Sequence, residues 1–147
     1  MKKFKFNLES VLNFRQLQEE QAKQRFGQAK MYALRQKELL QHYQEVLSKE
    51  QETFIDKIDI SLLQHKEMYI DCLCQRIERQ EEAVKKAEDI VRERQIEVTK
   101  AVQATKVLDN LKEKRYQEYL AESNHEEQKL LDEIGLIRFV RQAVSNE

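Results

Sequence analysis

Every seventh residue from Leu12 onward, namely Leu12, Glu19, Phe26, Ala33, Leu40, Leu47 and Phe54, is apolar in six cases of seven. The companion series, Leu8, Arg15, Ala22, Ala29, Gln36, Tyr43, Glu50 and Lys57, is apolar at half its positions, and Val11, Tyr32, Leu39 and Val46 widen the stripe along one flank. A sustained seven-residue repeat keeps one seam of a helix turned toward a partner and imposes a left-handed supercoil. The pattern predicts a first helix over about 8–57. Asn7 is placed to cap it, and Glu9 stands in the first turn, where the helix dipole favours an acid.

A second repeat follows. Ile70, Ile77, Val84, Val91 and Val98 recur at seven before the series weakens to Thr105 and Lys112 and returns at Tyr119. Its companions are Leu73, Gln80, Ala87, Arg94, Ala101, Leu108 and Arg115. On the outer surface, Glu81–Lys85, Glu82–Lys86 and Glu88–Arg92 have the four-residue acid-to-base spacing that supports a helix by roughly 0.2–0.5 kcal/mol a pair. Between the repeats the register fails, from Asp56 to Ser61, and Ser61-Leu62-Leu63-Gln64 has the form of a capping box. The reading is one coiled-coil domain over 1–147, with a turn at about 58–61 and a second helix over about 62–143. A continuous helix through the break is the alternative.

If the chain folds back, it is an all-α, antiparallel two-helix coiled-coil hairpin in which residue numbers summing to about 120 face one another. The C-terminal helix then overhangs the start of the first by roughly 30 residues, about 45 Å. That overhang carries Leu130, Leu131, Ile134, Leu136, Ile137, Phe139, Val140, Ala143 and Val144, more apolar surface than one seam uses. Phe4, Phe6, Leu8, Val11, Leu12 and Phe14 point to the same end, so that end is expected to bind something. A second helix broken near Ser123-Asn124 and folded over the N-terminus would hide it instead.

Composition agrees with long helices. The chain has no Pro and two Gly, too few for the turns of a globular domain of 147 residues. Charged residues make up 36% and balance to a net −1, interspersed along the whole length, which leaves no basic footprint for nucleic acid. No uncharged run is long enough to span a membrane. Asn7 and Glu9 interrupt any signal-like segment behind Lys2 and Lys3, so a cytoplasmic location is expected.

Catalytic chemistry finds no footing. His42, His65, His125, Cys72 and Cys74 include no pair at helical ligand spacing, so no metal is expected. Cys72 and Cys74 point about 200° apart on a helix, a poor disulfide geometry. No Gly-rich loop is present to hold phosphates, and a pair of helices offers no walled pocket to tune a carboxylate, so neither cofactor nor enzymatic activity is expected. The polar seam residues Arg15, Glu19, Gln36, Gln80 and Arg94 read as register-setting groups, with a deliberately flexible seam as the other reading. Gly27, beside Phe26, reads as a point of close helix approach.

Two stretches carry a family resemblance. Phe4-Lys5-Phe6-Asn7-Leu8-Glu9-Ser10-Val11-Leu12-Asn13-Phe14-Arg15, with Ala22-Lys23 beyond it, resembles the opening of the FliJ family of flagellar export proteins. Lys106-Val107-Leu108-Asp109-Asn110-Leu111-Lys112-Glu113-Lys114 and Glu126-Glu127-Gln128-Lys129-Leu130-Leu131-Asp132-Glu133-Ile134 resemble that family's C-terminal half. The resemblance implies a non-enzymatic component of the flagellar type III export apparatus, similar to the central stalk of rotary ATPases. The implied partners are the hexameric flagellar export ATPase, the cytoplasmic domain of the export-gate membrane protein, and flagellar export chaperones. The implied location is peripheral, at the inner face of the cell membrane beneath the flagellum.

On that resemblance the ATPase-binding end comprises Phe4, Phe6, Leu8, Leu12, Arg15, Ile134, Ile137, Arg138 and Arg141. The gate-binding face comprises Tyr69, Ile70, Leu73 and Ile77, with Arg76 standing where the family pattern has a small residue. Two other classes compete: a homodimeric coiled-coil scaffold or tether, and a membrane-surface helix over 130–144. Asp132 and Glu133 weaken the second of these.

Overall fold

The computed structural model describes residues 3–53 and 59–145. Over these the protein is all-α, with α1 at Glu9–Glu52 and α2 at Ile60–Ser145. It is a helical hairpin whose second helix, at 86 residues against 44, is much the longer. Of the expected turn, residue 58 and the preceding 54–57 lie outside the described residues, and Phe54 and Lys57 of the first seam lie there too.

The helix ends are set by groups other than those the sequence suggested. At the start of α1 the Leu12 amide donates to the Leu8 carbonyl at 2.9 Å and the Glu9 amide to the Phe6 carbonyl at 3.2 Å. Leu8 therefore occupies the capping position expected for Asn7, and the first turn is closed by backbone rather than by a side chain. At the other end α1 runs to Glu52, and residues 54–57 of the expected helix lie outside the described residues. The Thr53 amide and hydroxyl both donate to the Lys49 carbonyl, at 3.1 and 2.7 Å, closing the last turn. The Thr53 carbonyl accepts from Lys66 Nζ of α2.

α2 begins at Ile60, so the Ser61 capping box does not form. Asp59 is the cap: its Oδ1 accepts from the Ser61 amide at 3.0 Å and its carbonyl from Leu63 at 3.1 Å. An Asp that disfavours helix interiors is favoured here because its short carboxylate reaches an orphan amide two residues on. At Ser123-Asn124 no break occurs; α2 continues through both.

Contacts divide the described chain into two units, cut within both helices. One is Leu17–Val102; the other joins Met1–Gln16 to Gln103–Glu147. In the Leu17–Val102 unit the seam follows the heptads. Ala22, Ala29, Ala33, Leu73 and Ala87 are buried, and Phe26, Leu40, Tyr43, Leu47, Ile70, Ile77, Val84, Val91 and Val98 are half-buried. Gln80 Nε2 donates to the Gln36 carbonyl at 2.9 Å and to Gln36 Oε1 at 2.7 Å, an antiparallel pair near the expected sum. The buried amide is thus satisfied across the seam, and it specifies register because a slip would leave it unpaired.

Small residues dominate the buried set. Ala29 and Ala33 come level with Ala87, the most buried residue at 1% exposure, so the backbones can approach closely where no large side chain intervenes. Gly27 plays no part in this. It lies exposed, and a methyl group there or at Gly135 would meet nothing within 4 Å. Close approach belongs to the alanines. Glu88 also departs from expectation, turning away from Arg92 to meet Lys37 of α1 at 2.9 Å, while Arg92 pairs with Asp89. The Lys37 ammonium, donating to the Glu88 carboxylate, holds that carboxyl below the usual glutamate range.

In the other unit, Leu12 is buried at the seam, Thr105 opposes this end of α1, and Lys112 Nζ meets Glu9 at 2.9 Å. Glu9 and Lys112 again sum close to the expected value, so the same antiparallel register applies within this unit.

Candidate functional site

The N-terminal residues ahead of α1 run on along α2. Phe4 places its ring 5.3 Å from that of Tyr116, edge-on, and 5.5 Å from Tyr119. Phe4, Phe6 and Leu8 then line an open groove with Leu111, Arg115 and Tyr119 of α2. Phe4 and Phe6 are half-buried as a result. Three aromatic rings in mutual contact extend the seam by a turn beyond α1 itself, in the edge and offset arrangements that ring quadrupoles favour.

Beyond Ser123 nothing among the described residues covers α2. From residue 124 to 145 every residue is exposed, a length of about 33 Å at the helical rise. This is shorter than the expected overhang because the N-terminal segment occupies part of it. The large apolar side chains here, Leu130, Leu131, Ile134, Leu136, Ile137, Phe139, Val140 and Val144, are 41% to 70% exposed.

Their distribution matters more than their number. At 3.6 residues per turn these side chains spread around the whole helix, leaving no empty sector wider than about 80°. A helix packed on one neighbour presents a single apolar stripe, as α2 does over residues 70–98, whereas a helix apolar on every side is ordinarily enclosed. Arg138 and Arg141 break the apolar surface on one face, three residues apart and both exposed.

The sequence-derived ATPase-binding set is therefore divided. Leu12 is a seam residue, Phe4 is engaged with Tyr116 and Tyr119, and Leu8 and Arg15 are exposed beside them. Ile134, Ile137, Arg138 and Arg141 start about 22 Å further along α2 than Tyr119. The gate-binding set divides too. Leu73 is buried at 3% exposure and Ile70 and Ile77 are half-buried, all in the seam, while Tyr69 is 45% exposed. Heptad counting alone would have found this split, since 70, 73 and 77 are seam positions and 69 is a flank.

Among the described residues no three His, Cys, Asp or Glu are grouped to hold a metal, and no helix is long and apolar enough to cross a membrane. Cys72 and Cys74 are free thiols. The concavities are shallow and open rather than walled. What the surface offers is long exposed helix, the means by which coiled-coil proteins bind other proteins.

That class narrows to a family. The chain belongs to the FliJ family: the family model described as flagellar FliJ protein matches residues 4–143. It is accordingly a flagellar export-associated component, of a family of non-catalytic export proteins that act through protein partners. No curated protein and no solved structure matches it.

Proposed function

We propose that this protein is the central stalk of the flagellar export ATPase. In this reading the exposed end of α2 seats in the pore of the hexameric ring and links it to the export gate and the export chaperones. The observation that carries the reading is the all-round apolar character of 130–144. A single groove or one partner helix covers roughly a third of a helix circumference, whereas a ring of subunits covers all of it. Arg138 and Arg141 would then face backbone carbonyls or carboxylates lining the pore, with the guanidinium fork suited to either. Phe4, Phe6, Leu8, Leu12 and Arg15 act at the pore mouth, fixing the N-terminal segment on α2 where the exposed stretch begins. The protein would work in the cytoplasm against the inner face of the membrane. Gate contact falls to the first turns of α2, with Tyr69 the exposed member and Ile70, Leu73 and Ile77 holding its backbone in place.

The test is ATPase ring assembly and turnover with the full chain and with Ile137→Asp. An aspartate on an exposed helix position leaves the helix intact but puts an unpaired carboxylate where an apolar side chain would meet the pore wall. Ring stimulation should be lost while the circular dichroism of the variant matches the parent. Deletion of 130–147 should do the same. Normal stimulation by either variant excludes this end as the stalk tip.

A further inference from the structure

The two long sides of the Leu17–Val102 unit differ in chemistry. On one side Lys23, Lys30 and Lys37 recur at seven along α1, Glu81 and Glu88 stand on the same side of α2, and the Lys37–Glu88 ion pair closes the seam there. On the other side the flanking positions are apolar. Tyr32 and Leu39 of α1 come level with Ile90 and Ala83 of α2, and Val46 continues the line. Tyr32 is 53% exposed, Leu39 38% and Ile90 43%.

The rim of this apolar strip is basic. Arg35 borders it on α1 and Arg76, Arg79 and Lys86 border it on α2, all exposed and none in an ion pair among the described residues. Over 28–46 and 76–90 no carboxylate stands on this side. Glu38, Glu45, Glu78, Glu82 and Asp89 of the same stretches all fall on the outward faces of their helices, and Glu81 and Glu88 on the lysine side. A chain of net charge −1 has therefore gathered one sign here. Exposed cations bordering an apolar strip are complementary to one kind of surface, an apolar stripe flanked by carboxylates.

We infer that this side of the Leu17–Val102 unit is a docking strip for an acidic amphipathic helix of another protein. That helix would lay an apolar stripe along Tyr32, Leu39, Ala83 and Ile90 and set its flanking carboxylates against Arg35, Arg76, Arg79 and Lys86. Small Ala83 between the larger residues gives the incoming helix a place to approach closely, and the result is a local three-helix coil. The surface is separate from the exposed end of α2, and the inference stands whether or not that end enters a ring.

The probe is a synthetic peptide of about three heptads, with Leu at the seam positions and Glu on both flanks, titrated against the full chain by fluorescence anisotropy. A control peptide carries Lys in place of Glu. The acidic peptide should bind and the basic one should not, with affinity falling as salt rises. Arg79→Glu with Lys86→Glu should weaken binding about tenfold or more, and Tyr32→Ala with Leu39→Ala comparably. Lys85→Glu with Arg92→Glu, on the other side, should leave it unchanged. Equal binding of both peptides, or equal loss from the two charge reversals, overturns the inference. In cells, a photo-reactive residue at Leu39 should cross-link to an acidic helical segment of another protein. Cross-links solely to lipid, nucleic acid or a second copy of this chain also overturn it.

Discussion

Replacing Leu73 by alanine separates seam packing from partner binding, because this residue is claimed by both. Its side chain is 3% exposed, the most buried of the large residues in the Leu17–Val102 unit. Truncation removes about three methylene equivalents, or about 2.4 kcal/mol of transfer free energy at about 0.8 each. The cavity cost stays at the low end of its range, since a two-helix seam is open along both sides and can settle or admit water. The expected loss is about 2–3 kcal/mol, a large share of the 5–15 kcal/mol typical of a folded domain. Urea unfolding followed by far-ultraviolet circular dichroism should show the midpoint falling with the slope unchanged. Tyr69→Ala, four residues earlier and 45% exposed, should cost less than about 1 kcal/mol while weakening gate binding. Equal costs for the two variants would refute the seam assignment of Leu73. A Leu73→Ala protein of undiminished stability that failed to bind the gate would make it a contact residue outright.

Gly27→Ala should raise stability by about 0.5–1 kcal/mol, since an added methyl meets no neighbour and the unfolded chain loses freedom; a loss would show that Gly27 is packed after all. Gln80→Leu combined with Gln36→Leu should leave thermal stability nearly level, since replacing both polar partners of a seam costs less than removing one and leaving the other unpaired. It should also permit shifted registers, seen as additional intramolecular cross-links between cysteines placed at 29 and 84–91. The Glu88 carboxyl titrates below its ordinary value because Lys37 favours its charged form, so its contribution is complete above the unfolded glutamate pKa and is lost as pH falls through the folded value. Lys37→Met should therefore lower the midpoint of thermal unfolding at neutral pH by an amount that shrinks to nothing under acid, and a gap that persisted there would point to lost packing instead.

The seam was legible residue by residue. Every seventh position from Leu12 to Leu47 and from Ile70 to Tyr119 is buried or half-buried, because a helix repeats its face at nearly that interval and only one face could be buried. The two-helix class and the antiparallel sum follow from periodicity and from the want of Pro and Gly, whereas the course of α2 through Ser123-Asn124, where a break was the alternative, is decided by the structure. The FliJ resemblance rested on ordered motifs at both ends, and the family match over residues 4–143 bears it out. Helix ends were less legible. Asp59 and Asn7 are both good caps by residue type, and which of several nearby candidates captures the orphan amides is decided by chain path and neighbouring contacts.

Side-chain choice depended on the tertiary structure alone. Glu88 could reach Arg92 on its own helix or Lys37 on the other, and only the position of α1 makes the second available. Gln80 reads as a defect in an apolar series until Gln36 is brought opposite to receive it. Phe4 appeared free to join the apolar end of α2, but its contact with Tyr116 and Tyr119 fixes it about 22 Å short of Ile134. Periodicity fixes which face of a helix turns inward. Which residues of two inward faces meet, and which end of a long helix stays bare, depends on register and relative length. Those are properties of the pair, carried by no local stretch of sequence.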